Sequence, residues 1–111
     1  MPEALVPIFR TANAAEAAKW YARLGFIVAG EHRFEPHFPV YMFLKRGDIQ
    51  LHLSEHKGDA TPNTLVYFYV DDVDSIAAEF NVPVEEQPWA REVQLTDPDG
   101  NRLRIGKLHA K

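Results

Sequence analysis

Apolar and polar positions along this chain change period several times, and the changes mark its elements. Leu5-Val6-Pro7-Ile8-Phe9-Arg10-Thr11 reads as a short apolar strand. Asn13 follows as an N-cap, with Glu16 in the capping-box position. Ala14, Ala17, Ala18, Tyr21 and Leu24 then recur at helical spacing, and Gly25 sits where a C-cap belongs. The pattern returns in the second half. Leu65-Val66-Tyr67-Phe68-Tyr69-Val70 has the aromatic and β-branched make-up of a strand. Asp71-Asp72 supplies a cap, and Val73, Ile76, Ala77 and Phe80 form the apolar stripe of a second helix. An offset of 59 superposes Val6 on Leu65, Asn13 on Asp72, Ala17 on Ile76 and Tyr21 on Phe80.

Strand material follows each helix. In the first half, Gly25 to Ala29 leads away from the helix. Tyr41 to Leu44 and Asp48 to Leu53 then form a hairpin around Arg46-Gly47. In the second half, Val82-Pro83-Val84 reads as a short strand, and Glu92 to Leu95 pairs with Arg102 to Ile105 across Asp97-Pro98-Asp99-Gly100-Asn101. The polar stretch Ser54 to Asn63, with Gly58 and Pro62, connects the halves. The expectation is two βαβββ units, at about 1–56 and 64–108, in one 111-residue domain.

Composition narrows the classes. Hydrophobic residues make up 46% and charged residues 25%, an ordinary globular balance. The lack of cysteine excludes disulfides and thiolate metal sites. A net charge of −4 disfavours nucleic acid and mildly favours cationic ligands. No apolar run is long enough for a spanning helix, and Pro2-Glu3-Ala4-Leu5 has no basic or apolar leader pattern, so the expected compartment is the cytoplasm. A domain this small buries a modest core, which favours an oligomer.

The stretch Gln87-Pro88-Trp89-Ala90-Arg91-Glu92, running on to Asn101, resembles the C-terminal signature of bleomycin resistance proteins in the vicinal oxygen chelate superfamily. Val6-Pro7-Ile8-Phe9, Trp20 to Phe26, Arg46-Gly47-Asp48 and Pro62-Asn63-Thr64-Leu65 extend the likeness over nearly the whole chain. Ala90 departs from it, standing where those drug binders commonly have glycine. The resemblance implies an α+β fold: two βαβββ units that form a cup-shaped, partly open barrel. It also implies a homodimer in which the N-terminal strand crosses to the partner, with Pro7 at the hinge, and two drug molecules held at the dimer interface.

The superfamily also contains metal enzymes, whose four ligand positions map by resemblance onto Val6, Gln50, Leu65 and Arg104. Two of these are apolar and one is a cation, so no metal and no cofactor is expected. The histidines 32, 37, 52, 56 and 109 show no HExxH pattern and are read as surface or pocket residues. No phosphate loop or G-x-S-x-G elbow is present. Glu55 and Glu92 are read as surface carboxylates, and no catalytic residue is assigned.

Strand alternation then divides the faces. Ile8, Gln50, His52, Tyr67, Tyr69, Arg102 and Arg104 are expected to point into the cup, with Phe9, Leu51, Leu53, Val66, Phe68, Leu103 and Ile105 toward the helices. By resemblance Trp89 stacks on the ligand's flat heterocycles, with Tyr67 and Tyr69 beside it and Phe34 or Phe38 as a further wall. Such a mixed aromatic and polar cup suits a planar heteroaromatic ligand. The function implied is binding and sequestration of a bleomycin-type antibiotic, free or as its metal complex. An atypical lyase or isomerase of the same superfamily, or a binding module for another aromatic metabolite, remains open beside it.

Overall fold

The structure is a computed structural model that describes residues 3–33 and 35–110. Phe34 therefore lies outside the described residues. Two four-stranded sheets each carry one helix. The first half runs β1 (Ile8–Arg10), α1 (Ala14–Ala22), β2 (Ile27–His32), β3 (Tyr41–Arg46) and β4 (Ile49–Ser54). The second runs β5 (Leu65–Tyr69), α2 (Val73–Phe80), β6 (Glu85–Glu86), β7 (Ala90–Thr96) and β8 (Arg102–Leu108). The strand orders, β1-β4-β3-β2 and β5-β8-β7-β6, are the same within each unit. In both, the first strand runs parallel to the last and the others are antiparallel. Both sheets are open, as a partly open cup requires.

The helix caps form where the sequence places them. Asn13 accepts from the Glu16 amide and Asp72 from the Ser75 amide, each satisfying a donor of the first helical turn. Helix α1 stops at Ala22, earlier than its apolar stripe suggests, and the chain reverses through Gly25 at φ +91°. Helix α2 ends on Asn81 in the left-handed region, a role asparagine tolerates better than most side chains. Strand β2 extends through His32, which is therefore strand rather than loop. Val82-Pro83-Val84 is not a strand. The short β6 lies after it, because Pro83 has no amide to give a ladder, while Val82 and Val84 pack against the core.

One core joins the halves: Phe9, Tyr21, Leu24, Leu51 and Leu53 from the first unit, and Val93, Leu95, Leu103 and Ile105 from the second. The Trp20 ring lies 5.1 Å from Phe80, and Phe26 lies 6.3 Å from Phe68. The Asp97–Asn101 turn bolts the units together. Asp97 accepts from the buried Tyr21 hydroxyl at 2.6 Å. It also accepts from the Asp99 and Asn101 amides at 2.8 and 2.9 Å and from Asn101 Nδ2 at 3.1 Å. Asp99 takes the Thr11 hydroxyl and the Ala12 amide, and Asn101 Nδ2 donates to the Arg10 carbonyl. Burial raises the Tyr21 phenol far above its ordinary range, and the Asp97 carboxylate beside it adds to the effect.

Candidate functional site

Alternation puts one face of each sheet against a helix and leaves the other free. On the free face of the second sheet stand Leu65, Tyr67 and Tyr69 from β5, Arg102, Arg104 and Gly106 from β8, and Glu92 and Gln94 from β7. The register that aligns them pairs Tyr67 with Arg104 and Glu92 with Gly106. Trp89, just before β7, closes one end. Its indole Nε1 donates to the Tyr67 hydroxyl at 3.3 Å, and that hydroxyl donates to Glu92 Oε1 at 3.1 Å. The Tyr67 and Tyr69 ring centroids are 5.1 Å apart, and the Arg104 guanidinium sits 5.2 Å from the Tyr67 ring. Tyr69 is 52% exposed and Trp89 45% exposed, so the rings form an open wall and do not plug the cup.

Glu92 is the main correction on this face. The alternating pattern reads it as a surface carboxylate, yet it is fully buried. Its two oxygens accept Arg104 Nε at 2.9 Å and Nη2 at 3.0 Å, a bidentate pair. The Arg104 hydrogen bonds hold the Glu92 carboxyl below the usual carboxylate range, against the opposing pull of burial. The signal available in the sequence was the cross-strand diagonal between Glu92 and Arg104, visible only once the register is known. Glu55 is likewise no idle surface group. Its carboxylate accepts the Ala14 amide at 2.7 Å and the Val40 amide at 3.1 Å, tying α1 to β3 and β4.

Gly106 makes room for Tyr67. A Cβ built there collides with the Tyr67 hydroxyl and lies 3.3 Å from the Arg91 carbonyl oxygen. Gly106→Ala is therefore expected to push the Tyr67 ring off Glu92 and lower stability by about 1–3 kcal/mol, as overpacked cores do. A crystal structure of the variant with the Tyr67–Glu92 bond intact would contradict this.

The first sheet carries a second aromatic group that sequence reasoning found only in part. Tyr41, Phe43 and His52 share its free face. The Tyr41 hydroxyl is hydrogen-bonded to His52 Nδ1 at 2.8 Å, and the Phe43 and His52 rings meet edge-on at 4.8 Å. Burial lowers the His52 pKa, so the imidazole favours its neutral form. Gln50 and His52 line an open cleft of about 750 Å³ with Phe43, Lys45 and Asp48. Sequence reasoning gave a face only to His52, and the β3–β4 register adds that Phe43 stands opposite it.

The expected site residues thus fall into two groups. Trp89, Tyr67, Tyr69 and Arg104 come together on the second sheet, and Gln50 and His52 on the first. Among the described residues no hydrogen bond or ring contact joins Tyr41, Phe43 and His52 to Tyr67, Tyr69 and Trp89. Phe38 is exposed on the loop between β2 and β3, in neither group. Pro7 precedes β1, and its carbonyl accepts from the His52 amide at 3.0 Å, so within one chain β1 lies along its own β4. A further cleft, of about 610 Å³, is lined from both sheets: Gln50 of the first and Tyr67 of the second meet there with Val6, Pro7, Phe68 and Leu103.

The register shows which residues stand beside the positions that match the superfamily's metal ligands. Leu65 stands beside Arg102, and Arg104 beside Tyr67. In the first unit Ile8 stands beside His52. Neither the four matched positions, Val6, Gln50, Leu65 and Arg104, nor the register neighbours Ile8, His52, Tyr67 and Arg102 make a chelating set. Each contains an aliphatic residue and an arginine, and His52 already shares its Nδ1 with Tyr41. Neither set fits a chelated divalent cation.

Comparison with proteins of known structure follows the same lines. A bleomycin-binding protein complexed with bleomycin superposes with a TM-score of 0.76 at 22% identity, covering 97% of this chain and 100% of that one. A bleomycin resistance determinant encoded on the transposon Tn5 gives 0.72 at 21% identity, covering 98% and 100%. Lactoylglutathione lyase from Agrobacterium tumefaciens gives 0.69 at 21% identity, covering 96% and 94%. The fold therefore serves both binding proteins and an enzyme. No curated protein sequence matches the chain. The family model described as glyoxalase superfamily protein matches residues 2–110, and the chain belongs to that superfamily.

Proposed function

We propose that this protein binds and sequesters a flat heteroaromatic ligand of the bleomycin type, as a homodimer, without a metal and without chemical change to the ligand. The observation that carries the reading is the preset aromatic wall of Trp89, Tyr67 and Tyr69, braced by the Glu92–Arg104 pair and left half open. Exposed rings held in place by hydrogen bonds offer stacking area at little further ordering cost. A second copy is supported by the apolar residues left in the open. Ile8, Leu65 and Leu108 are exposed, as are Tyr69 and Trp89, and burial of these side chains against a second copy would stabilise a dimer. With the two aromatic groups on separate sheets, a partner that set its first sheet against this second sheet would close a cup around both. Pro7 is then the hinge from which the residues before it cross to the partner, with β1 kept on its own β4. The net charge of −4 favours a ligand with a cationic tail.

The test is calorimetric titration with metal-free and copper-loaded bleomycin, with light scattering for the dimer. Saturable binding by a dimer supports the reading; a monomer, or no heat with either form, removes it. The Trp89→Ala variant is expected to weaken binding about tenfold, the effect of losing roughly 1.4 kcal/mol of stacking and contact. Because Trp89 is 45% exposed, its loss should lower stability by less than the roughly 3–5 kcal/mol of a core aromatic. A melting curve beside the titration separates the two effects. Lost stability with intact affinity per folded molecule would place Trp89 in the scaffold and not the wall.

A further inference from the structure

On the second sheet's free face, the hydrogen-bonding groups of Tyr67, Glu92 and the Trp89 indole are used within the protein. The Tyr67 hydroxyl donates to Glu92 and accepts from Trp89. Glu92 Oε1 takes Arg104 Nη2 and the Tyr67 hydroxyl, and Oε2 takes Arg104 Nε and Gln94 Nε2. Arg104 commits Nε and Nη2 to Glu92. Its Nη1 has no hydrogen-bond partner among the described residues, and the side chain is 32% exposed beside the Tyr67 ring. A guanidinium donor on a partly exposed side chain beside an aromatic ring is a recognition group for one acceptor atom.

The charge around that donor decides which acceptor. Glu92 cancels the guanidinium charge at contact distance. Gln94 Nε2 bridges from Glu92, at 3.4 Å, to a second carboxylate, Glu85, at 3.0 Å. Arg102 lies two residues along the same strand face but is exposed to solvent, where its charge is screened. Glu85 is exposed as well, so its charge is screened like that of Arg102, and an incoming carboxylate would give up its hydration for a guanidinium whose charge Glu92 already cancels. An uncharged carbonyl or ring nitrogen accepts the same hydrogen bond at a smaller desolvation cost. We infer that Arg104 Nη1 makes this face selective for flat aromatic ligands with a neutral acceptor at the ring edge, over the same ring bearing a carboxylate. The inference rests on the reading that this face binds flat ligands, and it names the class.

Two probes with one ring test it: indole-3-carboxamide and indole-3-carboxylate, titrated into the ¹⁵N-labelled protein. The Trp89 indole N–H resonance reports the face, and Trp20, against Phe80, serves as an internal reference. The amide is expected to bind about tenfold more tightly than the carboxylate, a difference of roughly 1.4 kcal/mol. Arg104→Lys keeps a cation opposite Glu92 and removes Nη1. In that variant amide affinity should fall about tenfold and the preference should vanish. A carboxylate that binds as tightly as the amide to the wild-type protein overturns the inference while leaving the binding face standing. So does an Arg104→Lys variant that keeps the preference. If that variant does not fold, the wild-type comparison decides. If neither probe moves Trp89 at millimolar concentration, the binding face itself is refuted, and the inference with it.

Discussion

Asp97→Ala is expected to destabilise the protein by about 3–5 kcal/mol, enough to leave a typical small domain close to unfolding. The side chain holds four donors, and the substitution strands three of them, the Tyr21 hydroxyl and two backbone amides, while Asn101 Nδ2 keeps its bond to the Arg10 carbonyl. A stranded buried donor costs about 1–3 kcal/mol, and partial relaxation of the turn keeps the total below the simple sum. The Tyr21 ring is fully buried, so its hydroxyl has no route to solvent. Tyr21→Phe removes only one of these bonds and leaves no orphan on the tyrosine side, so about 1 kcal/mol is expected. Urea denaturation measures both as shifts in midpoint. A loss below about 0.5 kcal/mol for Asp97→Ala, the range of ordinary surface changes, would show that the turn does not join the two units.

The second large effect belongs to Glu92. Glu92→Ala leaves the Arg104 guanidinium without its counter-charge. Breaking a buried pair costs about 3–5 kcal/mol, and because Arg104 is partly exposed the lower end applies. The pH dependence follows from the direction of the Glu92 shift. Its folded carboxyl titrates below the ordinary value because Arg104 favours the charged form. The stability it contributes is therefore fully present above the unfolded glutamate pKa of about 4.3 and is lost as pH falls through the lower folded value. Glu92→Gln should flatten the acid limb of the stability curve in that window and leave its shape above about pH 6 unchanged. An acid limb identical to the wild type would mean that the pair contributes no linkage.

Most of the architecture was legible because periodicity reports it directly. Alternation separated Phe9, Leu51, Leu53, Leu103 and Ile105 from the free faces, and each is buried. The caps at Asn13 and Asp72 were legible because a short polar side chain ahead of a helical stripe has few other uses. What escaped depends on register, which the sequence carries only weakly. Glu92 sits in an alternating strand like any solvent-facing charge, and only its diagonal relation to Arg104 explains its burial. Gly106 gave no signal, because the need for it comes from the Tyr67 ring crossing from the next strand. Nor could sequence alone distinguish an exposed Tyr69 and Trp89 from side chains filling a small barrel.

The central claim is that two copies hold an unaltered flat ligand in cups built between them. Native mass spectrometry of the protein with bleomycin reads assembly, stoichiometry and ligand mass in one spectrum. The account predicts a dimer carrying two bleomycin molecules, released on activation at their original mass. A monomer without ligand, or a dimer that releases a chemically changed product, would contradict it.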